Sequence, residues 1–210
     1  MAEYLPIVAD WLARPALHLC VDVQRLFGPG GPWQVPWLTR TLPAIVHLAR
    51  HAPAHTVFTR FIPPHAPEQA PGAWADLYRA QPQVTGARLD PAWLELLEPL
   101  AELVPPARVL DKAGYSPFHG TGLAAALTAA GIETLIVSGT ETDVCVAGAV
   151  LHAVDLGLRV VVVEDGVCSS SDLTHRALMT AYHTRLRWQV QVASAQHIAA
   201  LWTPPQVGHA

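Results

Sequence analysis

Short apolar runs alternate with stretches of helical periodicity along most of this chain. The apolar runs predict six strands, at residues 17–21, 56–59, 109–110, 135–137, 160–163 and 188–192. The helical stretches predict helices at residues 38–50, 120–130, 147–156, 173–184 and 195–202. Strands with continuous rather than alternating apolar character are typical of a parallel sheet with helices on both faces. The pattern therefore predicts a three-layer α/β/α fold around a mainly parallel, six-stranded sheet.

One long irregular segment, residues 61–106, interrupts this alternation and contains nine prolines. Helical patterns within it predict two short helices, at residues 73–79 and 92–97. Loops of this length inside a domain usually shape a binding site. We therefore expect this segment to lie over one edge of the sheet and to contribute to a pocket.

The composition narrows the domain organisation and the partners. A chain of 210 residues is long enough for a full hydrophobic core and predicts a single domain, residues 1–210. Apolar residues make up 51% and charged residues only 14%, which predicts a homo-oligomer, a dimer or tetramer, that buries part of its surface. The net charge of −4 and the lack of a Lys/Arg block argue against nucleic acid as a partner.

Three further features indicate a cytoplasmic protein. The N-terminal region carries Glu3, Asp10 and Arg14 and two early prolines, which does not fit a signal peptide. The longest apolar region, residues 144–163, is interrupted by charged side chains and does not predict a membrane span. The three cysteines form no close pairs, which argues against a disulfide framework and for a reducing compartment.

Chemically reactive side chains follow the predicted strand ends. Asp22 follows the first strand, Arg60 the second and Lys112 the third, and Cys145 lies beyond the fourth. In open parallel sheets, ligands bind at the carboxyl ends of the strands, so these side chains are expected to meet at one edge. The remaining charged residues at these ends are Asp111 and Asp165.

Cys145 is placed where the fourth strand turns into a helix, within the first helical turn. Free backbone N–H groups there carry partial positive charge, which stabilises a thiolate and can hold an oxyanion. Asp22 is placed to take the thiol proton and to return it to a leaving amine, and Lys112 to hold the carboxylate and favour the thiolate. Taken singly, each is more often a strand-end acid, a solvated lysine or a buried cysteine. Their convergence favours a nucleophilic catalytic site.

Four segments carry recognisable motifs. They are residues 21–27 (VDVQRLF), 112–123 (KAGYSPFHGTGL), 139–149 (GTETDVCVAGA) and 161–169 (VVVEDGVCS). In this order, and over most of the chain, they resemble the motifs of the isochorismatase-like cysteine hydrolases.

The resemblance implies a six-stranded parallel sheet and a catalytic triad of Asp22, Lys112 and Cys145. It also implies a non-proline cis peptide between Thr140 and Glu141, and an oxyanion hole formed by the backbone N–H groups of Glu141 and Cys145. In the implied mechanism Cys145 attacks a carbonyl and Asp22 protonates the departing nitrogen. Water activated by Asp22 then cleaves the thioester.

The segment after the second strand departs from one branch of this family. Nicotinamidases carry an Asp-x-His metal motif there, whereas residues 59–65 (TRFIPPH) have no acid before His65. His65 and Glu68 are too few for a metal site, which needs several converging ligands. We therefore expect no metal and no cofactor.

Arg60 is a second departure in this segment. A guanidinium at the site rim suits a carboxylate or a carbonyl-rich substrate, and an ordinary surface arginine is an equal alternative. The predicted substrate-binding residues are Gln24, Phe27, Arg60, Phe61 and Tyr115, with Trp33 and Trp74 as further aromatic candidates for the pocket wall.

These observations predict a cofactor-free cysteine amidohydrolase that acts on a small molecule. It would cleave a C–N bond of a linear amide or a ureido/carbamoyl substrate through a thioester. Two alternatives stay open. A vinyl-ether hydrolase of the isochorismate type need not use the thiol as a nucleophile, and a non-catalytic or redox-sensing family member would act as an interaction protein.

Overall fold

The computed structural model describes residues 8–205. Six parallel strands form a single sheet at the centre of this structure. The strands are β1 (Ala16–Val21), β2 (Thr56–Phe61), β3 (Arg108–Lys112), β4 (Thr134–Thr140), β5 (Arg159–Cys168) and β6 (Val190–Ala193). Every neighbouring pair is parallel. The predicted α/β fold is therefore confirmed. Glu3, which argues against a signal peptide, lies outside the described residues.

The strand order β3-β2-β1-β4-β5-β6 sets the position of the site. The chain winds outward from β1 to β3, crosses back, and winds in the other direction from β4 to β6. β1 and β4 are therefore neighbours across the point where the winding reverses. Their carboxyl ends diverge into loops that leave a crevice, which is where ligands bind in sheets of this kind.

Helices cover both faces of the sheet. They are α1 (Val8–Leu12), α2 (Leu38–His51), α3 (Ala73–Ala80), α4 (Glu98–Ala101), α5 (Leu123–Ala129), α6 (Cys145–Asp155), α7 (Asp172–Thr184) and α8 (Ala195–Leu201). One face packs against α5, α6 and α7, and the other packs against α1, α2 and α8. A further apolar cluster extends beyond β2. Side chains of α3 and of the loops of the irregular segment contribute to it.

The residues of β4 show why the strand sequences are continuously apolar. Leu135 and Val137 belong to the cluster on the face of α5, α6 and α7, whereas Ile136 belongs to the cluster on the opposite face. All three side chains are fully buried. Successive side chains of a strand point to opposite faces, so a sheet covered on both faces requires apolar residues at every position.

β1 to β5 are longer than the predicted runs, and β6 is displaced towards the C-terminus. β6 begins at Val190, and Trp188 lies before it with its side chain half-exposed. β5 continues to Cys168, so Asp165 lies inside this strand rather than beyond its end. The Asp165 carboxylate accepts a hydrogen bond of 2.8 Å from the backbone N–H of Ala195, the first residue of α8. Asp165 therefore caps a helix.

Two predicted helices are also shorter or displaced. The first part of residues 92–97 forms a 3-10 turn, Pro91–Leu94, in which the Asp90 carboxylate accepts the Ala92 N–H at 2.9 Å. The next helix, α4, begins only at Glu98, with a proline in its first turn. α5 begins at Leu123 rather than at residue 120, after a glycine at the helix N-cap. Within residues 8–205, none of the helices has the length and apolar character needed to cross a membrane.

Candidate active site

Asp22 follows the last residue of β1 and has a left-handed backbone conformation, with φ of 52°. Non-glycine residues adopt this conformation rarely, and it persists where the surrounding structure fixes it, often at functional sites. The hydroxyl of Thr59 donates a hydrogen bond of 2.6 Å to one carboxylate oxygen of Asp22 and accepts the Asp22 backbone N–H at 3.1 Å. Thr59, on the neighbouring β2, thus binds both the carboxylate and the backbone N–H of Asp22.

Lys112 ends β3 and forms a buried ion pair with Asp22. Its Nζ lies 2.6 Å from the second carboxylate oxygen, and neither side chain has any exposed surface. Nζ also donates to the carbonyl oxygen of Gly114 at 2.9 Å. Burial by itself lowers the pKa of Lys112, but its interactions with Asp22 above all, and also with Cys145, outweigh burial and raise the pKa above its ordinary value. The ammonium therefore stays charged inside the protein.

Cys145 is the first residue of α6 and is 6% exposed. Its thiol lies close enough to Asp22 and Lys112 for both of them to affect its pKa. Burial and then the Asp22 charge raise the pKa of Cys145 well above its ordinary value, and Lys112 lowers it only in part. Lys112 therefore acts in the predicted direction, towards the thiolate, but burial and the Asp22 charge outweigh it and favour the protonated thiol. The Asp22 carboxylate lies close enough to the thiol to affect its pKa, so it is a candidate acceptor for the thiol proton.

The backbone before Cys145 presents unpaired donors. The Thr140–Glu141 peptide bond is cis. The carbonyl oxygen of Glu141 accepts the N–H groups of Val144 and Val146, at 3.1 and 3.0 Å. Among the residues that the structure describes, the N–H groups of Glu141 and Cys145 have no protein acceptor. Both are available to a bound group.

A cavity of about 410 Å³ opens onto Cys145. A continuous series of aromatic rings forms much of its wall. The ring centroids lie 6.1 Å apart for Phe27 and Trp33, 5.8 Å for Trp33 and Phe61, 6.0 Å for Phe61 and Trp74, and 4.6 Å for Trp74 and Tyr115. This cavity, the active-site pocket, therefore surrounds the thiol with flat apolar surfaces. The predicted roles of these aromatic residues in the pocket wall agree with this arrangement.

The rest of the active-site pocket is mostly uncharged. Glu141 contributes its single charged side chain among the described residues, and that carboxylate accepts the Ser170 backbone N–H at 2.7 Å. The indole N–H of Trp33 donates to the Gln81 carboxamide at 2.6 Å. The remaining lining residues are Pro32, Gln34, Leu77 and Val144. No lysine, arginine or histidine of residues 8–205 lines the pocket.

The likeness to known proteins extends over most of the chain. The sequence model of the Isochorismatase domain matches residues 16–194. The chain belongs to this family. Maleamate amidohydrolase of Pseudomonas putida is 28% identical to it over 169 residues, which cover 78% of this chain and 76% of that protein.

Two solved structures extend the comparison. A cysteine hydrolase from Pseudomonas syringae pv. phaseolicola has a TM-score of 0.78 and 25% identity, with 96% of this chain and 98% of that chain covered. N-carbamoylsarcosine amidase from Thermoplasma acidophilum shares the fold, with a TM-score of 0.68, 24% identity, and 87% and 96% of the two chains covered. The predicted family is confirmed, and relatives named as amidohydrolases agree with the predicted enzyme class.

Gln24 does not line the active-site pocket of this isochorismatase domain, which argues against the predicted role in substrate binding. Its carboxamide is fully buried and forms three hydrogen bonds with backbone groups. It donates to the carbonyls of Leu94 and Phe61, at 2.8 and 3.2 Å, and accepts the Phe61 N–H at 2.7 Å. Gln24 therefore fixes Phe61, the last residue of β2, in the pocket wall. The sequence motif identifies Gln24, but it does not show which groups form hydrogen bonds with its side chain.

Arg60 is also outside the active-site pocket. It lies inside β2, and its guanidinium forms two hydrogen bonds with Asp111, at 2.8 and 2.9 Å, and a weaker contact with Glu95. Adjacent strand residues point to opposite faces, so Phe61 lines the pocket and Arg60 does not. The ordinary surface role, weighed as an alternative for Arg60, is the one that the structure supports.

His65 and Glu68 form no ligand cluster. Among residues 8–205, no group of three His, Cys, Asp or Glu side chains has an arrangement that could hold a metal ion.

The structure adds functional residues that sequence analysis did not select. Thr59 ends the predicted second strand and binds Asp22, so inspection of the last residue of each predicted strand would have found it. Gln34, Gln81 and Ser170 line the pocket from three separate loops. Their sequence surroundings carry no signal that distinguishes them from ordinary loop residues.

Gly139 allows β4 to approach the end of β1 where Asp22 begins. Its φ is 113°, and a Cβ atom at this position would lie 2.1 Å from the carbonyl oxygen of Val21. Gly139→Ala is therefore expected to lower the free energy of unfolding by about 2–4 kcal/mol, from backbone strain and overpacking together. Urea unfolding measures this. Gly122→Ala is the control, because a Cβ atom there meets no atom within 4 Å, and an equal loss in both variants would contradict the argument.

Proposed function

We propose that this isochorismatase domain is a cysteine amidohydrolase that cleaves the C–N bond of a small amide or ureido compound through a thioester. The observation that carries the proposal is the Cys145 thiol at the wall of the active-site pocket, beside the buried Asp22–Lys112 pair that affects its pKa. A nucleophile, a base in contact with it and a group that orients the base are the components of covalent acyl transfer.

Acylation begins from the protonated thiol. Asp22 takes the thiol proton as the sulfur attacks the substrate carbonyl carbon. The oxygen of the tetrahedral intermediate accepts hydrogen bonds from the backbone N–H groups of Glu141 and Cys145, which are the free donors next to the sulfur. When the intermediate collapses, the C–N bond breaks and the leaving nitrogen takes the proton from Asp22.

Deacylation reverses the use of the same groups. Asp22 takes a proton from water, whose oxygen bonds to the thioester carbonyl carbon. The C–S bond then breaks, and the sulfur recovers the proton from Asp22. Lys112 remains charged throughout, since its interaction with the Asp22 carboxylate raises its pKa even though burial opposes this. Its role is to keep the Asp22 carboxylate in place.

The wall of the active-site pocket favours an uncharged substrate. A carboxylate that enters it loses hydration and meets the Glu141 carboxylate, without a cationic side chain among the described lining residues. Aromatic rings instead offer flat apolar contact to an uncharged body. The curated relative is named for maleamate, which carries a carboxylate beside its amide. We therefore expect this chain to differ from that relative in the charge of its substrate.

Paired substrates test this preference. Maleamide has a second amide where maleamate has a carboxylate, and the two compounds are otherwise identical. Ammonia release measures the hydrolysis of both compounds. The value of kcat/KM is expected to be at least about tenfold higher for maleamide, because the unpaired carboxylate is costly to bury. Glu141→Gln keeps the backbone N–H but removes the charge of the side chain. It is therefore expected to reduce the ratio of kcat/KM for maleamide to kcat/KM for maleamate. Faster turnover of maleamate by the unaltered protein would contradict the uncharged-substrate proposal.

The two alternatives have weaker support. Isochorismate carries carboxylates, which the active-site pocket does not match with a cation. A redox sensor needs an accessible thiol with a low pKa. Burial instead raises the pKa of Cys20, Cys145 and Cys168, and none of these three side chains is more than 6% exposed. The homo-oligomer and the cytoplasmic location stay predictions.

A further inference from the structure

Gln81 brings a carboxamide from the C-terminal end of α3 to the wall of the active-site pocket. Its backbone is fixed on both sides, since its N–H donates to the carbonyl of Leu77 at 2.9 Å and its carbonyl accepts the N–H of Val84 at 3.2 Å. The side chain is held as well, because the indole N–H of Trp33 donates to the carboxamide oxygen at 2.6 Å. Gln81 is therefore a fixed part of the pocket wall.

The hydrogen bond with Trp33 decides which end of the Gln81 carboxamide stays free. An indole N–H can only donate, so the atom that it contacts is the carboxamide oxygen and the remaining group is the NH₂. This NH₂ group has no acceptor within residues 8–205. It is not sealed inside the protein either, since the enclosed unpaired polar atoms of that region belong to other side chains. Gln81 therefore offers an uncharged hydrogen-bond donor to a molecule in the pocket.

Gln34, which follows Trp33 in the chain, repeats this arrangement at the wall of the same pocket. Its carboxamide oxygen accepts the backbone N–H of Gly30 at 3.1 Å, which again leaves an NH₂ group without a partner in the described part of the chain. Gln34 is exposed, so its NH₂ group is the more hydrated of the two donors. The part of the pocket around Trp33 therefore presents uncharged donors.

Two aromatic rings, Phe61 and Trp33, separate Gln81 from the Asp22–Lys112 pair. Nζ of Lys112 lies 5.3 Å from the centroid of the Phe61 ring, and that centroid lies 5.8 Å from the centroid of Trp33, which binds Gln81. A substrate with its reacting carbonyl carbon at the thiol therefore has to extend along these rings to reach the free NH₂ group. Any acceptor that Gln81 binds is separated from the scissile amide by several bonds.

On the amidohydrolase reaction proposed above, we infer that Gln81 selects substrates with a second, uncharged carbonyl group several bonds beyond the scissile amide. The Gln81 NH₂ group donates to that carbonyl oxygen, and the aromatic rings contact the part of the substrate between the two carbonyls. A carboxylate could accept the same hydrogen bond, but its charge loses more hydration and gains no cationic partner among the described lining residues. Keto amides, diamides and ureido amides fit this description, whereas simple alkyl amides do not.

Matched pairs of amides test the inference. 4-Oxopentanamide, 5-oxohexanamide and 6-oxoheptanamide place a ketone at increasing distance from the amide, and each is paired with a counterpart that has C=CH₂ in place of C=O. The counterpart keeps the size and planarity of the group but lacks the acceptor. For at least one chain length, kcat/KM from ammonia release is expected to be about 3- to 10-fold higher for the keto amide, as for one uncharged hydrogen bond. The difference is expected in KM rather than in kcat, because the bond forms far from the reacting carbon.

Gln81→Glu and Gln81→Met both remove the NH₂ group, and both are expected to abolish the preference for the keto amide. Gln81→Glu keeps an oxygen for the Trp33 indole and adds a charge, whereas Gln81→Met does neither, so a loss in both variants isolates the donor. Gln83→Glu is the matched control, because Gln83 is exposed, does not line the pocket and undergoes the same change of charge. It is expected to keep the preference. A preference that persists in either Gln81 variant, or is lost in Gln83→Glu, would overturn the role of Gln81.

Binding to a variant without the thiol separates this inference from the proposed function. In Cys145→Ala, isothermal titration calorimetry is expected to show the same advantage of the keto amide in Kd, and Gln81→Met in that background is expected to remove it. If the unaltered protein releases no ammonia from any amide while this difference in Kd remains, the amidohydrolase proposal fails and the role of Gln81 stands. Equal Kd values within every pair, or no binding of any keto amide, would overturn the role of Gln81 even where hydrolysis is observed.

Discussion

Cys145→Ala is expected to lower kcat for amide hydrolysis by at least about 10⁴-fold, because no other group can form the covalent bond to the substrate. The substitution removes one sulfur atom from a side chain that is already 6% exposed at the pocket wall. The backbone N–H of residue 145 and the start of α6 remain. The variant is therefore expected to fold with a melting temperature close to the original one. Ammonia release and thermal unfolding, measured on the same preparation, check both parts.

Cys168→Ala provides the matched control for this substitution. Cys168 is fully buried at the end of β5 and does not line the active-site pocket. Its loss is expected to cost some stability but to leave turnover in place. Residual activity above about 1% in Cys145→Ala would exclude the covalent route that acyl transfer requires. Substantial hydrolysis of isochorismate by Cys145→Ser would instead favour the vinyl-ether reaction.

Lys112→Met is expected to abolish turnover and to lower the free energy of unfolding by about 3–5 kcal/mol, as is typical when one partner of a buried ion pair is removed. The Asp22 carboxylate would remain in the interior with Thr59 as its side-chain hydrogen-bond donor, since both members of the pair are fully buried. Urea unfolding at neutral pH measures the stability, and ammonia release measures the activity.

Two further variants isolate the effect of the charge. The double variant Asp22→Asn/Lys112→Met removes both charges, so it is expected to recover at least half of the lost stability without any activity. Arg79→Ala breaks the exposed ion pair with Asp76, in which N and O are 2.7 Å apart, and is expected to cost less than about 1 kcal/mol. If Lys112→Met costs no more than Arg79→Ala, the buried pair does not support the fold as argued.

The three residues of the candidate active site were accessible to sequence analysis for a topological reason. Asp22, Lys112 and Cys145 are separated by 90 and 33 positions, yet each follows or ends a strand of one parallel sheet. Parallel strands align their carboxyl ends at the same edge, so the order of strands and helices alone brings these side chains together. β1 and β4 are neighbours at the point where the winding reverses. Asp22, which follows β1, therefore lies beside the loop that leads from β4 to Cys145.

The details that decide specificity were not accessible in the same way. Phe61 and Arg60 are adjacent in sequence, and the alternation of side chains along β2 places Phe61 in the pocket wall and Arg60 outside it. The protonation of Cys145 depends on how completely the site is buried, because burial has the largest effect on its pKa. A sequence pattern shows which charged residues are expected near a thiol, but it does not show how completely burial removes water from that thiol.

The sequence by itself determined the sheet, its covered faces and the position of the three reactive side chains, because apolar periodicity and strand-to-helix order are local properties of the chain. Only the tertiary structure decided which side chains line the active-site pocket, and that Gln24 is buried behind the wall and holds Phe61 in place. These features depend on packing between distant loops of the irregular segment and the sheet edge. Packing is set by three-dimensional contacts among side chains that no local pattern records.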